Sequence, residues 1–248
     1  MKKFIYSIYQ WVIAVPVLAV VTFITAVVTI IWSQFNSDAG GYYPAKWWSR
    51  CMCAVLLVTV VVKGRDNIRP NEPYVFAANH QGAFDIFALQ GYLDHNFKWM
   101  MRKGLTNIPL VGTACRAAGY ILVDTHSAHG MANTIVNAEQ ALQRGQSLII
   151  FPEGRRTDDG AMGTFKPGAF KLAAEFKRPI VPITIDGAYR VMSRTAYVVT
   201  PGSITITIHQ PIEPGADGHD IDDLSARCRE AIASGLSLAT NDDKEEYS

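Results

Sequence analysis

The stretch Tyr74-Val-Phe-Ala-Ala-Asn-His-Gln-Gly-Ala-Phe-Asp85 predicts the fold class of the whole chain. Its first five residues are an apolar run of strand length that ends in a polar loop, as expected of a buried strand. Residues 84–93, which overlap the end of this stretch, have helical character. Together the two elements predict one unit of an α/β protein, in which strands and helices alternate.

The rest of the chain repeats this alternation. Further apolar runs of strand length occur at residues 58–62, 121–123, 147–151 and 180–185. Residues 204–208 alternate strictly between apolar and polar side chains, which predicts a half-exposed strand near the sheet edge. Helical patterns cover residues 131–144, which end at Gly145, and residues 220–238. We therefore expect an α/β fold with a mixed, largely parallel sheet and flanking helices.

The amino-terminal end of the chain predicts a membrane helix. The 34 residues between Lys3 and Asp38 contain no Asp, Glu, Lys or Arg. Their core, residues 11–32, would form about 33 Å of helix, close to the hydrocarbon thickness of a bilayer. Both ends of this core are tryptophans, which prefer the membrane interface, and Pro16 would kink it. A cleaved signal peptide and a soluble core helix fit this length and evenness less well.

A second apolar run, residues 51–62, is too short to span a bilayer. Its β-branched end predicts the strand at residues 58–62, and we expect residues 41–57 to form a helix that lies in or dips into one leaflet. A helix that packs on the soluble domain is the alternative. The predicted organisation is an anchor over residues 1–57, an α/β domain over residues 58–240 and a flexible acidic tail over residues 241–248.

Composition excludes several classes of function. The 248 residues carry a formal net charge of +1, which excludes a broadly basic nucleic-acid-binding protein. The four cysteines form no C-x-x-C pair and therefore no zinc signature, and they favour a reducing compartment. The sequence contains neither a metal-binding cluster nor a nucleotide-binding glycine motif, so we expect no cofactor and no nucleic-acid partner.

The polar loop after the strand at residues 74–78 contains His80 and, five residues later, Asp85. A carboxylate at this spacing can hold one ring nitrogen of the histidine while the other nitrogen accepts a proton, which is how a general base works. The same residues also fit a purely structural role, with His80 as a cap and Asp85 as a first-turn carboxylate. The spacing alone leaves both interpretations open.

A second polar motif, F-P-E-G-R-R-T, begins at the end of another predicted strand. Gly154 permits a sharp turn, and Arg155 and Arg156 offer planar groups suited to a phosphate. Glu153 could accept a hydrogen bond from a substrate hydroxyl, and Lys166 adds a cation nearby. In isolation, such a motif also fits a solvated charged loop.

The two motifs in this order resemble those of the glycerolipid acyltransferase family, most closely its 1-acyl-sn-glycerol-3-phosphate (lysophosphatidic acid) acyltransferases. H-x4-D is followed roughly 70 residues later by F-P-E-G-x-R and then by Ile180-Val-Pro-Ile183. Residues 101–112 and 166–170 are similar to two further segments of the family. The resemblance covers about residues 60–210, and its ordered motifs are specific.

The resemblance implies roles for individual residues. It assigns the general base to His80 and the orienting acid to Asp85. It also implies a substrate-binding set of Glu153, Gly154, Arg156 and Pro182, to which Arg155 and Lys166 are added from the charge pattern. A membrane-dipping pair of amino-terminal helices is also known in the family and would fit residues 4–57.

The activity implied by the resemblance is transfer of a fatty acyl group from acyl-CoA or acyl-carrier protein to the free hydroxyl of a lysophospholipid. Lysophosphatidic acid would be the acceptor and phosphatidic acid the product. Residues 101–103, Met-Arg-Lys, are expected to meet the phosphates of coenzyme A or an acidic carrier protein. Because both lipids lie in the bilayer and acyl thioesters are kept in the cytoplasm, we expect an inner-membrane protein whose catalytic domain faces the cytoplasm.

Two departures from the family pattern concern the acceptor. Thr125 stands where the second motif usually has the arginine assigned to the acceptor phosphate, and Arg155 stands where the third usually has threonine. A phosphate site rebuilt around Arg155 fits this exchange, and so does a different acceptor, such as another lysophospholipid or a lyso-ornithine lipid. A membrane-anchored lipid hydrolase and a non-catalytic lipid-binding protein stay open as functions of other classes, although the chain lacks the G-x-S-x-G motif of many hydrolases.

Overall fold

The computed structural model describes residues 2–124, 127–215 and 220–237, and within them one sheet of seven strands forms the centre. The strands are β1 (Val58–Lys63), β2 (Val75–Ala78), β3 (Phe97–Arg102), β4 (Ile121–Val123), β5 (Ser147–Ile150), β6 (Ile180–Asp186) and β7 (Gly202–Ile208). Their order is β1-β7-β6-β2-β5-β3-β4. Neighbouring strands are parallel except β6 and β7, which are antiparallel. The predicted mixed, largely parallel sheet is therefore confirmed.

Helices cover both faces of this sheet. They are α1 (Lys2–Tyr9), α2 (Val15–Ser33), α3 (Ser37–Val55), α4 (Phe84–Tyr92), α5 (Val111–Ala117), α6 (Ala128–Gln143), α7 (Gly168–Glu175), α8 (Ala188–Val191) and α9 (Ile221–Ser234). Side chains alternate along β2, so that Phe76 and Ala78 pack in a core with α3 and α4, whereas Val75 and Ala77 pack in a second core with α6, α7 and α9. All four residues of β2 are buried, as expected of a central strand.

One strand confirms the sequence pattern and another is missed by it. β7 has the predicted alternation and lies near the sheet edge, with only β1 outside it, which pairs with it in parallel from Val58 beside Gly202 to Lys63 beside Thr207. No strand is predicted for β3, where Lys98 interrupts the apolar pattern. Lys98 is nevertheless buried, because its ammonium group binds the Asp38 carboxylate at 2.9 Å and the Ala118 carbonyl at 2.8 Å.

The amino-terminal helices form a hairpin. A single π-helical turn, Gln10–Ala14, joins α1 to α2, and the Val15 N–H donates to the Gln10 carbonyl there. This irregularity lies just before Pro16, where the sequence predicts a kink. The chain reverses at residues 34–36, and the Asn36 side chain caps α3 by accepting from two backbone N–H groups.

The hairpin includes a helix suited to a membrane and also contacts the α/β domain. Phe4–Ser33 is the one helix in the described parts of the chain that is long and apolar enough to cross a bilayer. Ala14 and Leu18 of this helix lie in the core shared with α4, and Cys53 of α3 lies there too. α3 therefore packs on the α/β domain, as the alternative for residues 41–57 expects. Its immersion in one leaflet and the boundary at residue 57 remain predictions.

Candidate active site

His80 and Asp85 meet where the central strands end. β2 ends at Ala78, His80 lies in the following loop, and Asp85 is in the first turn of α4. Nδ1 of His80 is 2.7 Å from Oδ2 of Asp85, which also accepts a hydrogen bond of 2.9 Å from the Gly82 N–H. Because Asp85 is fully buried and accepts this bond, the ring proton is assigned to Nδ1, which leaves Nε2 to accept another.

Further contacts fix the orientation of this loop. The buried side chain of Asn79 pairs with the backbone of Ile185 on β6, donating to its carbonyl at 2.8 Å and accepting from its N–H at 2.7 Å. The His80 ring stacks on Phe151, with 3.9 Å between ring centroids and 8° between ring planes. The imidazole is thus held in one position before any substrate binds.

Glu153 connects the second polar motif to the histidine. Its Oε1 accepts a 2.8 Å hydrogen bond from the His80 N–H, and its Oε2 accepts a 2.7 Å bond from the Gly163 N–H. The Thr157 N–H donates to the His80 carbonyl at 3.1 Å. The carboxylate that the sequence pattern offers to a substrate hydroxyl is therefore engaged in holding two loops together.

Two basic side chains approach the turn at Gly154. The φ angle of Gly154 is +73°, in the left-handed region that favours glycine. Nη2 of Arg102, the last residue of β3, donates to the Gly154 carbonyl at 2.7 Å. A Cβ atom at Gly154 would lie 2.8 Å from Nζ of Lys166, so that ammonium group lies against the same turn. The turn next to Glu153 is therefore cationic.

Arg155 lies at the rim of this turn. Its side chain is 67% exposed and 3.8 Å from the Asp158 carboxylate, which Arg194 binds at 2.8 Å. Arg156 is half-buried. The ion pair of Arg155 with Asp158 is therefore a weak one at the surface.

Pro182 occupies a different place from the other predicted site residues. It is buried in β6 beside Ala77 of β2, and its carbonyl accepts a hydrogen bond of 3.0 Å from the His209 N–H. Pro182 has no N–H, and it lies where β6 passes from its bridge with Ile212 to its pairing with β7. Pro182 therefore lies within the sheet and not in the loops of the candidate site. Thr125 lies outside the described residues.

Burial opposes ionisation of both carboxyl groups beside His80. It raises the pKa of Asp85 above the usual range, an effect that hydrogen bonds from the His80 ring and the Gly82 N–H only partly offset. Burial also raises the pKa of Glu153, against the influence of the Gly163 and His80 N–H groups. Two such carboxyl groups beside a histidine are typical of a functional site.

In the described ranges, no group of three or more His, Cys, Asp or Glu side chains could hold a metal ion.

This part of the chain matches a known protein family. The family model described as Acyltransferase matches residues 59–186, just over half of the chain. The chain belongs to the acyltransferase family. The matched segment includes every residue of the candidate site and excludes the whole amino-terminal hairpin.

Several relatives extend the match beyond this segment. A 1-acyl-sn-glycerol-3-phosphate acyltransferase of Chlamydomonas reinhardtii is 27% identical over 95% of this chain and 69% of its own length. The chloroplastic 1-acyl-sn-glycerol-3-phosphate acyltransferase of Arabidopsis thaliana is 29% identical over 79% of this chain. The acyltransferase described here spans only 54% of the length of that relative.

A solved structure shares the fold. The 1-acyl-sn-glycerophosphate acyltransferase PlsC of Thermotoga maritima superposes with a TM-score of 0.73, covering 89% of this chain and 93% of that one. The two sequences are 24% identical, so this likeness concerns the fold.

The sequence patterns do not assign Arg102 to the candidate site, although the fold brings its side chain to Gly154. They group it with Lys103 in a segment for the acyl donor, but Lys103 instead pairs with Asp124 at 2.9 Å. Arg102 lies opposite Val123 of β4, at the end of its own strand. A basic residue at the carboxyl end of a parallel strand is the signal that would have identified it.

Proposed function

We propose that this acyltransferase transfers a fatty acyl group from an acyl thioester to the free hydroxyl of lysophosphatidic acid, which gives phosphatidic acid. The observation that carries the proposal is the 2.7 Å contact between His80 and the buried Asp85 within the family segment. The relatives in Chlamydomonas reinhardtii and Arabidopsis thaliana are 1-acyl-sn-glycerol-3-phosphate acyltransferases, which supports lysophosphatidic acid as the acceptor. Acyl-CoA and acyl-carrier protein are the two donors compatible with thioester chemistry.

In this mechanism His80 acts as a general base. Its Nε2 takes the proton from the lipid hydroxyl as the hydroxyl oxygen attacks the thioester carbonyl carbon. The Asp85 carboxylate stabilises the imidazolium that forms. The tetrahedral intermediate then collapses, the carbon–sulfur bond breaks, and the imidazolium returns its proton to the leaving thiolate. A thioester is already activated, so the reaction needs no acyl-enzyme.

The cationic turn suits the phosphate of the acceptor. Arg102 and Lys166 both approach Gly154, and the neighbouring Glu153 accepts from the His80 N–H. In lysophosphatidic acid the reacting hydroxyl is on the carbon next to the one that bears the phosphate ester, so base and phosphate site must be adjacent. Arginine and lysine provide the charge-assisted hydrogen bonds that a phosphate requires. Arg155 can add a further cation from the rim.

We also propose that both ends of the amino-terminal hairpin lie on the cytoplasmic side of the inner membrane, with His80. The hydroxyl groups of Tyr6 and Tyr9 donate to carbonyls of Leu56 and Val55, at 2.9 and 2.8 Å. These bonds hold the amino-terminal half of the helix against the end of α3, where the α/β domain begins. Asp38, at the turn end of the hairpin, binds Lys98 of β3 at 2.9 Å, so both ends of the hairpin lie against the α/β domain. The helix and its returning partner would therefore enter and leave the one leaflet that faces this domain.

Incubating the reconstituted full chain with radiolabelled acyl thioester and a panel of lysolipids tests the reaction. We expect labelled phosphatidic acid from lysophosphatidic acid, with acyl-CoA and acyl-carrier protein compared as donors. Transfer to a phosphate-free lysolipid alone would refute the acceptor, release of free fatty acid alone would indicate a hydrolase, and inertness would indicate a binding protein. His80→Ala is the inactive variant, and His129→Ala, at an exposed histidine of α6, is its control.

Thiol labelling in intact cells tests the topology. Cysteines introduced at residue 2 and at residue 248 should both be protected from a membrane-impermeant reagent. Labelling at residue 2 alone would indicate a single-pass helix. Labelling at residue 248 would place the catalytic domain on the side without acyl thioesters.

A further inference from the structure

A glutamine within the apolar amino-terminal helix holds a distant loop of the α/β domain. Gln10 is only 4% exposed although it lies in the helix that is apolar enough to cross a bilayer. Its side-chain Oε1 accepts from the Val199 N–H at 2.8 Å, and its Nε2 donates to the Tyr197 carbonyl at 3.3 Å. One side chain thus binds the loop on both sides of Val198, as a neighbouring backbone would.

The loop held by Gln10 exposes apolar groups. Tyr197 is 85% exposed and Val198 is 38% exposed. The helix also exposes Trp11 and Ile13, within one turn of Gln10. Exposed apolar groups of the helix and of the α/β domain therefore lie beside the contact that Gln10 makes, and apolar surface gathered from two elements in this way marks a binding face.

The same loop is tied to the active site at its other end. The Met192 carbonyl accepts from the N–H of Ala83, which lies between His80 and Asp85 in the chain. Arg194 binds Asp158, in the segment that follows the second polar motif. Residues 192–199 therefore connect the apolar helix to both loops of the candidate site.

We propose that residues 195–199, here called the interfacial loop, form a second membrane contact whose occupant is the headgroup region of the bilayer. Tyrosine is enriched at that depth because its ring is apolar and its hydroxyl is polar. Gln10 satisfies the loop backbone beside the helix, which removes the cost of bringing those polar groups to the interface. The contact holds the catalytic loops at a fixed height over the lipid acceptor.

This proposal rests on anchoring by the apolar helix and does not depend on the acyl-transfer reaction. Its test uses the full chain in phosphatidylcholine–phosphatidylglycerol vesicles, with nitroxide labels on single cysteines at residues 8, 197 and 135. Cys51 and Cys115 are first changed to serine, whereas Cys53 and Cys228 are buried and stay. Ile8 reports the anchor, and Ile135, an exposed residue of α6 on the opposite sheet face, is the matched control.

Collision of each label with oxygen, which concentrates in the bilayer, is compared with collision with a water-soluble nickel complex. We expect oxygen to dominate at residues 8 and 197 and the nickel complex to dominate at residue 135. If oxygen dominates at residue 8 but the nickel complex dominates at residue 197, the interfacial loop is overturned and the anchor stays intact. If the nickel complex dominates at residue 8, the anchor is refuted, and the proposal with it. Low collision with both reagents at residue 197 would mean that a second copy of the chain covers the loop, which also overturns the lipid assignment.

The Gln10→Leu variant tests whether the glutamine holds the loop. Loss of both hydrogen bonds should lower the ratio of docked to free loop by roughly tenfold, seen as a mobile component in the spectrum at residue 197. Ser7→Leu, one turn away, is the control for added apolar bulk, and unchanged thermal unfolding shows that each variant is folded. An unchanged spectrum at residue 197 in folded Gln10→Leu would overturn the role of Gln10.

Discussion

Beyond the hydrogen bonds of Glu153 that join them, the two loops at the candidate site are held in different ways. Asn79 and Asp85 of the first loop are fully buried, and each makes short hydrogen bonds within the fold. Arg155 and Asp158, in and just beyond the second motif, have side chains that are 67% and 61% exposed. Buried hydrogen bonds are costly to break, whereas exposed ion pairs contribute little and exchange easily. We infer that the first loop fixes the chemistry of the reaction and the second adjusts the acceptor.

The largest effect should come from removing the base from the rigid loop. His80→Ala should reduce kcat by about 10²–10⁴-fold, because a positioned general base contributes this much. Thermal unfolding and membrane association should persist, since the ring is partly exposed and the loop retains its Asn79 anchor. The measurement is single-turnover transfer in vesicles, next to His129→Ala. Retention of a tenth of the wild-type rate would show that another group is the base.

Asp85→Asn should have the next largest effect, a loss of about 10²-fold in kcat without unfolding. Oδ2 of Asp85 accepts from both the Gly82 N–H and Nδ1 of His80, so an amide oxygen in its place keeps both hydrogen bonds and removes the negative charge. The imidazolium formed in the reaction then lacks the anion that stabilises it. Nitrogen-15 chemical shifts of the histidine ring should show that the proton stays on Nδ1, while single-turnover transfer in vesicles measures the loss of rate. Near-normal transfer by a folded variant would contradict the orienting role of Asp85.

The contrast between the loops also separates what the sequence predicts from what only the fold supplies. Local patterns suffice for the strand before His80 and for the five-residue spacing to Asp85, because strand, loop and helix are consecutive in the chain. The contact between Arg102 and Gly154 joins residues 52 positions apart, through the placement of β3 beside β5. The bond from Gln10 to Val199 spans 189 positions. No local pattern encodes such pairings, since they depend on strand order.

Arg155→Thr tests the role of the exposed second loop. We expect KM for lysophosphatidic acid to rise roughly tenfold, as for a lost charge-assisted hydrogen bond, with little change in KM for the acyl donor. Adding Thr125→Arg should recover part of the loss, because the pair restores the family pattern. Arg69→Thr, an exposed arginine before β2 and away from the site, is the matched control. Equal impairment toward a phosphate-free lysolipid would argue against phosphate binding by Arg155.

Glu153→Gln probes the junction of the two loops and should have the smallest effect, a change in how stability depends on pH. Burial raises the pKa of Glu153 above its ordinary value of 4.5, so between that value and the folded-state pKa the native protein binds more protons than the unfolded chain. Its contribution to stability is therefore complete below pH 4.5 and declines as pH rises through this window.

Glutamine has no proton to lose, so Glu153→Gln should be free of this decline. The melting temperature of the wild type, relative to that of the variant, should fall as pH rises through the window and level off above it. Glu230→Gln, at an exposed glutamate of α9, is the control, and its melting temperature is compared with that of the wild type over the same pH range. A wild-type advantage that grows with pH would mean that the N–H groups of His80 and Gly163 outweigh burial. The junction would then be held by the carboxylate charge, and the two loops would be less different than their exposure suggests.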